Sequence, residues 1–240
     1  MYGNFARYYD AIYLAQGKDY EREACRLHRL VRRYGRSGGN RLLDVACGTG
    51  EHLRYLRDVY RVEGLDASEA MLSVARKKLP DVPFHLGDMR TFDLGASYDV
   101  VTCLFGSIGY VETVEGLQQA MATMARHLVP GGVLVLEPWL GPEDIEDGRT
   151  HVAVAQTPEG HIVRVGVTRV HDRISDIRFH FVVADREGIH SFEERHRLGL
   201  FTREEYEDAL RAAGLEVFYD EVGLADRAVF LGRKPDGDPA

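Results

Sequence analysis

Three carboxylates end apolar runs in this 240-residue sequence: Asp44 in Arg41-Leu42-Leu43-Asp44-Val45, Asp66 after Val62-Glu63-Gly64-Leu65, and Asp88 after Phe84-His85-Leu86-Gly87. The first run continues through Ala46-Cys47-Gly48-Thr49-Gly50 into a helical pattern over residues 51–57. Glycines at such a turn permit dihedrals and close ligand approach that a Cβ forbids. The helix behind it aims unpaired N–H groups and a partial positive charge at the same spot. A dinucleotide-binding turn needs a third glycine where this chain has Leu53, and no Gly-Lys-Ser/Thr of a phosphate-binding loop follows. A pyrophosphate gains nothing from Asp44, whereas a cation does. The pattern suits S-adenosylmethionine (SAM), which carries an ammonium and a sulfonium. Asp66 is placed to accept from both ribose hydroxyls. Asp88 is placed to accept from the adenine amino group, with Met89 packed on the ring. Ala46, Gly48, Gly50, Ala67, Met71 and Leu104 complete the expected cofactor-binding set.

The elements that must position these groups alternate. Apolar runs at residues 41–45, 60–66, 83–86, 98–105 and 133–137 read as strands. Helical patterns at 51–57, from Glu69 behind the cap Ser68, and at 113–128 separate them. This rhythm implies a parallel sheet with right-handed crossovers, and ligands of such sheets bind beyond the carboxyl ends of the strands. The expected fold is α/β: a Rossmann-like, seven-stranded, mostly parallel sheet with helices on both faces, plus an inserted antiparallel β-sheet. Residues 1–140 hold an N-terminal helical cap and the SAM-binding core. Within the cap, Tyr2, Tyr8, Tyr9, Tyr13 and Tyr20 recur at helical intervals, and Tyr13 and Tyr20 are candidates for a lid that reaches the ligands. Residues 141–200 alternate apolar and polar side chains in antiparallel fashion and shelter the site. Residues 201–233 return to the core as a helix capped by Thr202 and a closing hairpin, and 234–240 are expected to be a disordered tail.

A net charge of −8 argues against nonspecific nucleic-acid binding, which needs a basic surface. Cys25, Cys47 and Cys103 are odd in number and lack paired spacing, so neither a disulfide framework nor a zinc ribbon is expected. No signal-peptide pattern or membrane-length apolar run is present, which points to the cytoplasm and to no membrane partner. The ten histidines are scattered without metal spacing, so no metal is expected. A hydroxyl acceptor would need a base or metal more urgently than an amine, which only has to arrive unprotonated. Tyr13 and Tyr110 are the candidates to orient an amine proton. His180 and His196 lie on the insertion and are candidates to face the pocket, whereas His127, before Pro130-Gly131-Gly132, suits a helix terminus as an imidazolium. Arg227 has the forked geometry for a pyrophosphate. Two alternatives stand beside the amine reading: an O- or N-methyltransferase of another small molecule, and a SAM-binding module without catalysis.

The ordered set Leu43-Asp44-Val45-Ala46-Cys47-Gly48-Thr49-Gly50, Gly64-Leu65-Asp66-Ala67-Ser68, Gly87-Asp88-Met89-Arg90 and Pro130-Gly131-Gly132 resembles the class I SAM-dependent methyltransferases. Further pieces extend the likeness: Gly17-Lys18-Asp19-Tyr20, Ser107-Ile108-Gly109-Tyr110, Glu137-Pro138-Trp139, Val183-Ala184-Asp185 and Phe230-Leu231-Gly232. With these the chain resembles the TDP-amino-sugar N,N-dimethyltransferases of macrolide biosynthesis, which finish desosamine and mycaminose. The resemblance implies a dimeric cytoplasmic enzyme of antibiotic biosynthesis that methylates a sugar amine twice and releases product between rounds. It implies SAM contacts at Tyr13, Tyr20, Asp66, Asp88 and Met89. It implies sugar-nucleotide contacts at Tyr110, Trp139 and Arg227, and the expected substrate set adds Tyr9, Arg178 and His180. Asp66 replaces the family's frequent Glu, Leu140-Gly141 replaces an aromatic after the tryptophan, and Gly223-Leu224-Ala225-Asp226-Arg227-Ala228 replaces a glycine-rich run.

Overall fold

The computed structural model describes residues 5–158, 160–224 and 227–237. Helices α1 (Tyr9–Ala15) and α2 (Tyr20–Tyr34) come first. Then β1 (Arg41–Val45), α3 (Glu51–Leu56), β2 (Arg61–Asp66), α4 (Glu69–Lys78), β3 (Phe84–Leu86), β4 (Tyr98–Cys103), α5 (Val114–Arg126) and β5 (Leu128–Leu136) alternate. A second set follows: β6 (Thr150–Thr157), β7 (Gly160–His171), β8 (Ile174–Asp185) and β9 (Gly188–Gly199). The chain closes with α6 (Arg203–Ala212), β10 (Glu216–Leu224) and β11 (Arg227–Arg233).

The first sheet has seven strands in the order β10-β11-β5-β4-β1-β2-β3, parallel except where β11 pairs antiparallel with β5 and β10. Its central strands are apolar on both faces because helices cover both. Leu43, Val101, Leu134 and Leu136 pack with residues of α5 and α6, while Leu42, Val100, Val133 and Val135 pack with residues of α2 and α3. Local signals set the helix starts. Ser68 Oγ accepts from Met71 N–H, and Thr202 with Glu205 forms a reciprocal capping box. Lys234 does not begin a loose tail. Its backbone N–H donates to Gly132 O at 2.9 Å and its Nζ to Leu128 O at 2.7 Å. The rest of the expected tail, from 238 on, lies outside the described residues, as does Tyr2.

The second sheet is four antiparallel strands in the order β6-β7-β8-β9. Its inner face, with Ala153, Ala155, Ile162, Phe179, Phe181 and Leu198, packs onto Phe5 and Ile12 of the N-terminal region. Its outer face is also apolar in places: Val152, Val154, Val165 and Val182 are exposed. Among the described residues no helix is long and apolar enough to cross a membrane.

Candidate active site

At the end of β1 the backbone turns through positive φ at Ala46 (58°), Gly48 (57°) and Gly50 (78°). For Ala46 this is a strained conformation of the kind that collects at functional sites. Asp44 is 2 % exposed and accepts from Thr102 Oγ1 at 2.7 Å. Burial raises its pKa to about 6, with His52 and the Thr102 hydrogen bond opposing. Asp66, at the end of β2, accepts from Gly48 N–H and Ser68 N–H, both at 2.8 Å. Burial raises its pKa too, against those backbone donors. Each Asp66 oxygen keeps a lone pair for a further donor. Asp88 differs: Arg90 grips it with contacts of 2.5–3.2 Å, and those hydrogen bonds hold its carboxyl below the usual range.

A cavity of about 280 Å³ lies over this edge. Ala46, Gly48, Asp66, Ala67, Met71, Asp88 and Met89 line it, with Tyr9, Ser107 and Tyr110 on the far wall. A narrower recess of about 30 Å³ shares Tyr9, Ala46, Gly48 and Ser107 and is walled by Tyr20, Asp44, His52 and Leu104. Gly50 lines neither. It caps α3 in the left-handed conformation, and a Cβ there would press on Leu79 at 3.3 Å. SAM fits this pair of spaces. Tyr20 Oη is buried without a hydrogen bond to any described residue, beside the recess that holds the Asp44 carboxylate. A donor and an acceptor so placed suit the two ends of an amino acid.

The cap is locked down by charges that the sequence pattern did not single out. Asp10 of α1 accepts from Thr49 Oγ1 at 2.5 Å and from Lys78 Nζ at 2.6 Å. Buried Glu23 of α2 receives Lys18 Nζ at 2.6 Å and His52 Nε2 at 2.7 Å. These pairs draw α1 and α2 onto the glycine turn. Tyr9 thereby reaches both spaces. Tyr13 lines neither and sits one layer back, 4.6 Å from the Tyr9 ring and edge-on to Phe105 at 4.9 Å.

On the acceptor side Tyr110 Oη lies 2.8 Å from His196 Nδ1. Trp139 Nε1 is buried without a partner among the described residues. Its ring lies so close to Gly106 (φ 69°) that a Cβ there would stand 2.7 Å from it. Arg227 extends over Phe105 and Trp139, with Nη1 3.7 Å from buried Glu137. Glu137 also accepts from Phe105 N–H at 2.7 Å, and burial raises its pKa. Arg164 of β7 escaped the sequence analysis. It is 4 % exposed, stacked 4.4 Å from the Phe179 ring, and donates to Gln16 Oε1 at 3.1 Å and Tyr13 Oη at 3.4 Å. Its Nε has no partner, and no carboxylate pairs with it among the described residues. Such a charge is costly unless something anionic joins it.

Two expected substrate residues lie away from the cavity. Arg178 and His180 are exposed on the outer face of β8, where His180 meets Glu193 at 3.3 Å. Strand alternation sends Ile177, Phe179 and Phe181 inward instead. Arg164 and His196 are buried basic groups on the inward face of this sheet, and His151 shares that face, 2.8 Å from Thr168 Oγ1. His127 is structural, with Nδ1 2.8 Å from Thr123 O and Nε2 3.2 Å from Leu94 N.

Residues 42–132 match the methyltransferase domain family model. The chain is 43% identical to the dTDP-3-amino-3,6-dideoxy-alpha-D-glucopyranose N,N-dimethyltransferase of Streptomyces fradiae, over 96% of this chain and 91% of that protein. The chain belongs to the dTDP-amino-sugar N,N-dimethyltransferase family. Among solved structures, this methyltransferase superposes on Streptomyces venezuelae DesVI with a TM-score of 0.90 at 42% identity, covering 96% of this chain and 98% of that one. It superposes on SAM-bound CalS10, an amino pentose methyltransferase of Micromonospora echinaspora involved in calicheamicin biosynthesis. There the TM-score is 0.84 at 41% identity, covering 94% and 96% of the two chains. It is a SAM-dependent enzyme.

Proposed function

We propose that this methyltransferase dimethylates the amino group of a TDP-linked amino sugar. One observation carries the substrate half of the reading: Arg164 and Arg227 turn inward around Tyr13, Phe105 and Trp139, and Arg164 is buried with no carboxylate beside it among the described residues. Two guanidiniums so held suit a diphosphate, which they can fork. The relatives' names give dTDP-linked amino sugars as their substrates.

In this reading Asp44 faces the cofactor's cationic end, Asp66 holds its ribose, and Asp88 and Met89 hold its base. Tyr20 donates into the recess, and Tyr9 and Tyr13 close the cap. Bound SAM supplies a methyl group activated on a sulfonium, open to in-line displacement by a neutral amine. The protein's part is orientation and exclusion of water, which can contribute about 7–11 kcal/mol in the best cases. Tyr110 accepts the amine N–H so that the nitrogen lone pair faces the methyl group. Residues 1–140 and 201–233 form the cofactor-binding unit, and 141–200 cover the acceptor. The enzyme works as a cytoplasmic homodimer in antibiotic biosynthesis.

Incubation with SAM and dTDP-amino sugars, followed by mass spectrometry, tests the reaction. Sequential mono- and dimethylated sugars are expected. Methylation of some other acceptor with none on these sugars would overturn the substrate, and tight SAM binding without transfer to any acceptor would overturn catalysis. Light scattering on the eluted protein tests the dimer.

A further inference from the structure

We propose that His196 is a positioning residue for the transfer: its Nδ1 accepts the Tyr110 hydroxyl and so orients the phenol oxygen, on the cavity wall, to accept the acceptor N–H. The inference rests on the role given to Tyr110 above and adds a residue behind it.

Tyr110 lies on the 3-10 turn Ser107–Val111, and its hydroxyl meets His196, 86 residues further along the chain on β9, at 2.8 Å. Tyr110 lines the cavity, and His196 is 4 % exposed behind it. The pair is built into the packing. Leu198, two residues along β9, lies so close to Gly109 that a Cβ there would stand 3.0 Å away, which seats the turn against the strand.

The direction of the hydrogen bond requires a neutral ring with its proton on Nε2, which leaves Nδ1 to accept. Arg164 on β7 and Tyr110 on the turn face His196, and Glu194 shares its strand face. Burial first, and then the Arg164 cation, push the imidazole pKa down to about 4. A neutral ring protonated on Nε2 accepts the phenol hydrogen at Nδ1. An imidazolium would donate to Tyr110 instead, and the phenol hydrogen would then point at the amine it should accept from. A phenol oriented this way holds one N–H of a primary amine. It matters more for the secondary amine, which has a single N–H left to offer.

A double-mutant cycle tests this. His196→Leu should lower kcat roughly 10- to 100-fold, leave SAM affinity within about twofold, and shift product towards the monomethylated sugar. His196→Asn, whose Oδ1 falls near the Nδ1 position, should restore most of the rate. In a Tyr110→Phe background His196→Leu should change kcat by less than about twofold, because the partner it acts through is gone. If the leucine variant does not bind SAM, His196→Ser, too short to reach Tyr110, replaces it under the same criteria. An equal loss with and without the Tyr110 hydroxyl, or an asparagine variant no better than leucine, would overturn the proposal. Absence of wild-type transfer to dTDP-amino sugars would instead sink the substrate reading. The cycle is therefore measured on an acceptor the wild-type enzyme uses.

Discussion

Asp44 and Asp66 stand at the ends of parallel strands that run side by side, so position along the chain alone delivers them to one edge. Arg164 and His196 sit in the middle of antiparallel strands, where only the face they take decides whether they reach the site. The first arrangement is governed by topology and tolerates small errors of register. The second is governed by parity, and a one-residue shift sends every side chain to the opposite face. Arg178 and His180 illustrate this: they are near Arg164 across the ladder yet point away from the pocket.

The contrast can be broken most severely at Asp66. Asp66→Ala removes the acceptor of two backbone donors and of the proposed ribose. SAM affinity should fall by about 100-fold or more in calorimetry. A loss under about tenfold would mean that the edge is not organised by strand-end carboxylates.

Next comes the covering sheet. Arg164→Lys keeps the charge but loses the fork, so KM for the nucleotide sugar should rise roughly 10- to 30-fold while the SAM dissociation constant holds. A change in SAM affinity alone would place Arg164 with the cofactor and erase the division between the two regions.

Asp44 sharpens the comparison through pH. A cationic ligand prefers the carboxylate, and the native group is raised to about 6, so SAM affinity should fall by up to about tenfold per pH unit below that point. Asp44→Asn should flatten this profile. The same shift acts on the fold with its own sign. A raised acid leaves the protein most stable below its unfolded value of about 3.9 and costs about 2–3 kcal/mol as pH rises through about 6. The asparagine variant should therefore melt higher than wild type near neutral pH while binding SAM more weakly. A lower melting temperature would overturn that account.

The smallest effect is expected on the outer face. Arg178→Ala and His180→Ala should each change KM and kcat by less than about twofold. A larger loss in KM would return that face to the substrate.

Much of the cofactor edge was legible because glycine turns, cap residues and strand-end carboxylates act locally. Ser68 and Thr202 cap the helices their spacing announced, and Met71, Ala67 and Met89 line the cavity. The cap locks were not legible. Asp10 meets Thr49 and Lys78, and Glu23 meets His52, only after α1 and α2 fold back over β1. The second sheet misled for a definite reason. On β7 the outward positions carry Val163, Val165 and Val167, while the inward ones carry Arg164, Gly166 and Thr168. Hydrophobic alternation there points to the wrong face.

By itself the sequence determined the order of strands and helices, the three carboxylates at strand ends and the glycine turn between them. Each of these depends on neighbours within a few residues. Only the tertiary structure decided that Tyr9 closes the cavity while Tyr13 lies behind it, and that Tyr110 meets His196. It also turned Arg164, rather than Arg178, inward. These outcomes depend on which face of a sheet another element covers. That is settled by the packing of Phe5 and Ile12 against residues more than one hundred and forty positions away, which no local pattern encodes.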